Sequence, residues 1–189
     1  MLKTFIKYWI IIYFLPLSSC QTPSSGHDQD DAAHFLTEIA EIQKPIDETG
    51  ETFSEYFANL TEIASRSAGE RLEQQRIDSL EYYYYLHLSA IDTGIHKLNE
   101  LGEFENDITI SKHYINYLGI MKNCYVSTIP KYIEFYRHGW KAAPDSLRTF
   151  IENGSEVSKR FVLKASKDQN LFDAGVKRLA SKYYILDKK

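Results

Sequence analysis

The sequence predicts an all-α protein: an antiparallel bundle of about four long, kinked helices in a single domain covering residues 32–189. Three observations predict this fold. From Ala32 onward, apolar residues recur at steps of three and four, the spacing of one helix face, and no stretch alternates as a half-buried strand does. The connections between these segments are short, and long one-sided helices joined by about 2–8 residues pack antiparallel. The chain also contains no repeat of fixed length, which argues against a helical solenoid.

The first predicted helix begins near Asp30 or Asp31, either of which suits a helix N-cap. Pro45 is expected to kink or end this helix, because proline lacks a backbone N–H. Apolar residues at the same step reappear over residues 53–64. This second stretch is interpreted either as a separate helix or as the continuation of one bent helix.

The clearest predicted helix runs from about Ala68 to Leu101 and is closed by Gly102, a typical C-terminal residue. One apolar stripe follows its length. The stripe consists of Leu72, Ile77, Leu80, Tyr84, Leu88, Ile91, Ile95, Leu98 and Leu101. We expect the central members, including Leu80 and Leu88, to be buried.

A third long segment is predicted to open at Asn106 or Asp107 and to bend at Pro130. The last helical region begins at residues 144–147, where proline and aspartate suit a helix start. A break in this region is predicted at residues 153–154 or 168–170, which are rich in asparagine and glycine.

The first 19 residues have the three-part layout of a secretory signal: two lysines, an apolar run and then small residues. The apolar run from Tyr8 to Leu17 has ten residues. A helix that crosses a bilayer needs about 20, so a permanent transmembrane anchor is the weaker interpretation.

The end of this segment, Leu17-Ser18-Ser19-Cys20, resembles the lipobox of bacterial lipoproteins. The resemblance implies cleavage between Ser19 and Cys20 and attachment of acyl chains to Cys20. Two or more acyl chains make membrane anchoring stable. The alternative is an ordinary secretory signal followed by a chance cysteine.

Residues 20–31 are rich in Ser, Asp, Gly and Pro and are predicted to form a flexible tether. Gln21 follows the cysteine, whereas aspartate at this place retains enterobacterial lipoproteins at the inner membrane. The resemblance therefore favours the outer membrane. The acidic cluster of Asp28, Asp30 and Asp31 resembles a surface-export signal of Bacteroidota lipoproteins, so a periplasmic and a surface-exposed location both stay open.

The formal charge is −4, and removal of Lys3 and Lys7 with the signal takes it to −6. A mildly acidic domain gains little from phosphate attraction, so we expect no nucleic-acid partner. The chain has two cysteines. A lipidated Cys20 leaves Cys124 without a disulfide partner, and a lone helical cysteine is expected to be a small buried hydrophobe.

The sequence offers no recognisable catalytic residue, metal ligand or cofactor motif. None of the six histidines follows a glutamate by three places, as a di-iron bundle requires. The chain also lacks a Gly-x-Ser-x-Gly elbow and a glycine-rich phosphate loop. An envelope enzyme or metal-dependent bundle protein that uses scattered carboxylates and histidines remains the alternative function.

Fourteen tyrosines are unusual for this length, and four of them are consecutive at residues 82–85. Four consecutive helical residues sweep about 300°, so they cannot all face the core. Tyr84 belongs to the apolar stripe, and Tyr82, Tyr83 and Tyr85 are candidate partner-binding residues. An aromatic platform would further include Tyr114, Tyr117, Tyr132, Tyr136 and Trp140. Alternatively, these rings fill gaps between long helices.

Together these features predict a membrane-anchored envelope lipoprotein. Its helical domain is expected to be a non-enzymatic interaction module, which presents an aromatic face to another envelope protein or to a surface ligand.

Overall fold

A computed structural model describes residues 26–67, 69–105, 108–183 and 185. These residues form four helices: α1 (Gly26–Arg66), α2 (Gln74–Leu101), α3 (Ile110–Ala142) and α4 (Asp145–Lys182). Within the described ranges, the one β contact is an isolated bridge between Glu105 and Ile108. The prediction of an all-α bundle of about four long helices is confirmed.

Helix α1 begins at Gly26, inside the stretch assigned to the tether, and continues through Pro45 to Arg66. Asp30 and Asp31 therefore lie within the helix, and their prediction as caps was wrong. The interpretation of residues 53–64 as a continuation of the first helix is confirmed. Pro45 lies on the exposed side of α1, and Ile42 and Ile46 on either side of it enter the core.

Helix α2 begins at Gln74, later than the predicted start near Ala68. Gly69, with φ of +83°, belongs to a connection that lies against the end of α3. The N–H of Leu72 donates to the Tyr136 carbonyl over 3.0 Å, and the N–H of Lys141 donates to the Gly69 carbonyl over 3.2 Å. These tertiary bonds compete with helix formation. The predicted end is confirmed, because the N–H of Gly102 donates to the Leu98 carbonyl.

Helix α3 begins at Ile110, whereas the predicted opening residues Asn106 and Asp107 lie outside the described residues. The carboxylate of Glu103 accepts the backbone N–H of Ser111 over 3.0 Å and of Lys112 over 2.7 Å, and thereby caps the helix from the preceding connection. The helix continues through Pro130. Its non-helical residue is Gly139, with φ of 68° and ψ of 167°.

Helix α4 runs unbroken from Asp145 to Lys182, so both predicted breaks were wrong. The residues that suggested the breaks have partners in the bundle. Gly154 lies against the ring of Tyr132, and Asp168 accepts a hydrogen bond from Nδ1 of His113 over 2.9 Å.

Consecutive helices pack against each other, α3 with α4 most extensively, whereas α1 and α4 touch only sparsely. The core has two parts. The near cluster lies at the end where α1 begins and is centred on Phe35, Ile39, Ile42, Ile46, Ile91, Leu98, Ile110, Tyr114, Leu118, Phe172 and Leu179. The far cluster lies at the opposite end and is centred on Phe53, Leu60, Leu72, Ile77, Leu80, Tyr84, Ile129, Ile133, Phe135, Tyr136 and Leu147. Tyr125 contacts both.

Candidate functional site

The outward face of α2 carries three large side chains that the core does not cover. Tyr82 is 63% exposed, Tyr85 is 62% exposed and Leu86 is 41% exposed. They share a face because residues separated by three or four positions are neighbours on a helix surface. These three residues are called the α2 face below.

The α2 face leads into a shallow groove of about 260 Å³ between α1 and α2. The groove forms where α2 carries small side chains, and Gly94 is the extreme case, because a Cβ there would lie 2.5 Å from Cδ1 of Ile46. Leu86 belongs to both surfaces. The lining comprises Ile42, Pro45, Thr49, Leu86, Ser89, Ala90, Thr93, Gly94 and Lys97. The result is a mainly apolar surface along one side of the first hairpin.

Tyr83, the third candidate binding residue, lies in a different environment. It is half-buried, its ring centroid is 5.1 Å from that of Tyr56, and it packs against the far cluster. Tyr84 is buried, as the apolar stripe predicted. The structure therefore leaves Tyr82 and Tyr85 as the exposed members of the tyrosine run.

The wider aromatic platform does not form. Tyr114 and Tyr136 are buried, and Tyr117 and Tyr132 are half-buried between helices. The hydroxyl of Tyr136 is 2.8 Å from the Thr61 hydroxyl, so this tyrosine is satisfied inside the bundle. Trp140 is 39% exposed but packs beside Gly69 at the far end. Most of these rings fill spaces between helices.

A buried histidine between the two clusters was not predicted. His87 is 5% exposed, and its ring stacks on Phe53 and meets Tyr125 edge-on. Burial lowers the pKa of His87 to about 4, so the ring is neutral near pH 7. Nδ1 lies 3.1 Å from the Thr49 hydroxyl, which is also 2.7 Å from the Pro45 carbonyl. When that hydroxyl donates its single proton to the carbonyl, Nδ1 of His87 is the nitrogen that donates to Thr49.

Asp47 is the second polar group of this middle layer. Burial, together with the neighbouring Glu48, raises the pKa of Asp47 to about 7. The pKa of Tyr114 and of Tyr117 on α3 is raised first by burial and then by the negative charge of Asp47, which places the carboxyl on the α3 side of α1. Among the described residues none donates a hydrogen bond to Oδ1 of Asp47. The protonated carboxyl is therefore the form that this environment favours near neutral pH.

The interior polar groups do not converge on a reaction centre. Within the described ranges, no group of three or more His, Cys, Asp or Glu residues is arranged to hold a metal ion. Cys124 is buried, and burial raises the pKa of its thiol, which opposes formation of a nucleophilic thiolate.

Ser19 and Cys20, the predicted cleavage and lipidation residues, lie outside the described residues. Among the described residues, no helix has an apolar stretch long enough to cross a bilayer. Comparisons with protein-family models, with curated proteins and with solved structures return no match to this chain. The candidate function therefore depends on the sequence and the geometry of the bundle.

Proposed function

We propose that the chain is an envelope lipoprotein, anchored through Cys20, whose helical bundle is a non-enzymatic interaction module. The observation that carries the module is the continuity of the α2 face with the groove beside Pro45. Contiguous exposed apolar and aromatic surface commonly marks a binding site. Tyrosine suits such a site because it provides a large, rigid contact area with a polar tip.

The dimensions of the groove favour a protein partner over a small ligand. A pocket that encloses a drug-sized ligand usually has about 300–1,000 Å³ and buries most of it. The groove between α1 and α2 is about 260 Å³ and shallow. It suits an apolar side chain of another envelope protein, with Tyr82 and Tyr85 packing around it. A surface ligand of similar shape is the other occupant of this site.

The anchor is supported by the residues Leu17-Ser18-Ser19-Cys20 and by Gln21, which favours the outer membrane over the inner. It is tested by metabolic labelling with palmitate. We expect Cys20→Ser to abolish the label and to leave the protein unprocessed or released. Cys124→Ser is the matched control, because it removes the only other cysteine and should retain the label. Labelling that survives Cys20→Ser would contradict the anchor.

The module is tested by photo-crosslinking in intact cells. A photoreactive amino acid at position 82 or 85 should form an adduct with one envelope component. The same amino acid at position 126 is the control, because Val126 is 49% exposed but lies on α3. Tyr85→Ala should weaken the adduct formed from position 82. No adduct from either tyrosine, or an identical adduct from position 126, would remove the α2 face as a binding site.

A further inference from the structure

The first two helices form one hairpin of the bundle and the last two form another, and the two hairpins carry opposite net charges. Helix α1 has ten acidic and two basic residues, whereas α4 has eight basic and five acidic residues. α3 is also basic, with five basic residues and one acidic residue. The overall negative charge of the chain therefore conceals a basic side, which belongs to the second hairpin.

The basic residues of α4 are concentrated on its exposed side together with two leucines. Residues separated by three or four positions form one face, which is called the α4 face below. The face consists of Arg160, Leu163, Lys164, Lys167, Leu171 and Arg178, all of them exposed. Leu163 is 74% exposed, more than any other large apolar side chain of the described residues, and Leu171 is 40% exposed.

Two of the acidic residues in this part of α4, Asp168 and Asp173, lie near side chains of α3. Asp168 bonds to His113 and Asn116 of α3, so its charge is directed into the α3–α4 contact. Asp173 lies near Tyr117 of α3, whose pKa is raised first by burial and then by the charges of Asp47 and Asp173, and partial burial raises the pKa of Asp173 itself. Glu156, one turn before Arg160, bonds to Lys159 and lies near Arg160, and Asp168 lies near Lys167. These two carboxylates offset part of the charge of the α4 face, whose four basic residues still outnumber them.

We propose that the α4 face rests on an anionic phospholipid bilayer, with its lysines and arginines among the headgroup phosphates and its two leucines in the interface. A helix face that combines basic residues with leucine is typical of segments that lie in the membrane interface. Each Lys or Arg close to an anionic membrane surface contributes about 1 kcal/mol to binding, or roughly fivefold in affinity.

The exposed leucines favour a membrane over a second copy of this chain. The acidic α1 of another copy would complement the charge, and the groove beside it could receive one leucine, but among the described residues α1 has no large exposed apolar side chain to cover the second. A bilayer supplies both the negative charge and the apolar surface.

The position of the α4 face also agrees with the proposed anchor, on which this inference rests. Phe35 near the start of α1 contacts Phe104, and Phe104 contacts Tyr183 at the end of α4. The end of α4 and the start of α1 therefore lie at the same end of the bundle. Residues 20–25 can span at most about 20 Å, which keeps this end close to the lipid.

The test is co-sedimentation of residues 20–189 carrying Cys20→Ser, so that no lipid contributes. All four helices lie within this chain. We expect it to sediment with vesicles of phosphatidylglycerol and phosphatidylcholine, to stay in solution with pure phosphatidylcholine, and to be released by salt. Lys167→Glu removes one positive charge and adds one negative charge, so it should weaken binding about 25-fold, and Leu163→Ala should weaken it at least about threefold. Circular dichroism confirms that each variant is folded.

Lys44→Glu on α1 is the matched control, because it changes the net charge equally at an exposed site on the acidic helix. It should bind nearly as the parent protein does. The proposal is wrong if the parent protein ignores anionic vesicles, if Lys44→Glu weakens binding as much as Lys167→Glu, or if Lys167→Glu instead dissolves a dimer formed without vesicles. These outcomes are separate from palmitate labelling and crosslinking, which test the anchor and the α2 face.

Discussion

Both clusters of the core are packed mainly from isoleucine and leucine, but six tyrosines lie in or against the far cluster and four lie in or against the near cluster. The far end therefore contains more polar hydroxyl groups, and each needs a partner. Tyr136 bonds with Thr61, and the hydroxyl of Tyr56 donates to the Arg76 carbonyl. Most of the tyrosines therefore serve to pack the helices together. Of the tyrosines proposed to bind a partner, only Tyr82 and Tyr85 are exposed.

The two ends also differ in how their connections are held. At the near end Gly102 has a positive φ of 69°, and a Cβ there would meet nothing within 4 Å. At the far end Gly139 has a similar φ of 68°, but a Cβ there would lie 2.5 Å from the backbone nitrogen of Arg71. At the far end the backbone of residues 69–71 therefore packs directly against Gly139 of α3, whereas at the near end Gly102 is uncovered and the connection is held by Glu103 and Phe104.

The largest predicted effect tests this difference. Gly139→Ala should lower the free energy of unfolding by at least about 3 kcal/mol, because the strained backbone and the clash with the 70–71 backbone add together. Gly102→Ala has only the strain and should cost about 1–2 kcal/mol. Gly119→Ala, which lies in a helix with open space around it, should be neutral or stabilising. Urea unfolding ranks the three, and an equal loss at Gly102 and Gly139 would contradict the docked connection.

The second prediction corrects the predicted apolar stripe within the far cluster. Leu80 is fully buried, but Leu88 is only half-buried, and His87 occupies the buried position beside it. Leu80→Ala should therefore cost about 2–5 kcal/mol. Leu88→Ala should cost less than half as much, since part of its side chain already contacts water. Chemical denaturation compares the two, and equal losses would place Leu88 in the core after all.

The third prediction concerns the layer between the clusters, where two pKa shifts oppose each other. His87 has a lowered pKa, so its neutral form stabilises the fold above pH 6.5, and this is lost as pH falls toward 4. Asp47 has a raised pKa, so its protonated form stabilises the fold below about pH 4, and this is lost as pH rises toward 7. The stability of the parent protein should change little between pH 4 and 6.5.

Two variants separate these contributions. Asp47→Asn should expose the histidine effect, a loss of up to about 3 kcal/mol as pH falls from 6.5 to 4. His87→Leu should show the reverse slope, with Asp173, whose pKa is also raised, acting in the same direction as Asp47. Urea unfolding across this pH range checks both. If the free energy of unfolding depends on pH in the same way in both variants, His87 and Asp47 do not have the opposite pKa shifts that their burial predicts.

The four helices could be predicted from the sequence, because the spacing of apolar residues by three and four is visible in each segment by itself. The helix ends were less predictable. The start of α2 depends on hydrogen bonds to Tyr136, and the start of α3 depends on the carboxylate of Glu103. His87 was not predicted to be buried because the stripe was traced through apolar residues only. Its position, four before Ile91 and seven after Leu80, nevertheless lies on the buried face.

The candidate site was only partly predictable for the same physical reason. The helical wheel shows that Tyr82, Tyr83 and Tyr85 leave the stripe, but not which of them meets a neighbouring helix. That is decided by Tyr56 on α1, which packs against Tyr83. The groove could not be predicted either, since it depends on the way α1 crosses the small residues of α2.

The smallest predicted effect separates Tyr83 from the exposed tyrosines. Tyr83→Ala should lower the free energy of unfolding by about 1–2 kcal/mol, because it removes the contact with Tyr56 and half-buried ring area. Tyr85→Ala should change it by less than about 0.5 kcal/mol, since the ring is 62% exposed. Tyr82→Ala should behave like Tyr85→Ala. Thermal and urea unfolding of the three variants make the comparison. Similar losses for Tyr83 and Tyr85 would show that the α2 face supports the far cluster, and would leave the groove without its flanking binding residues.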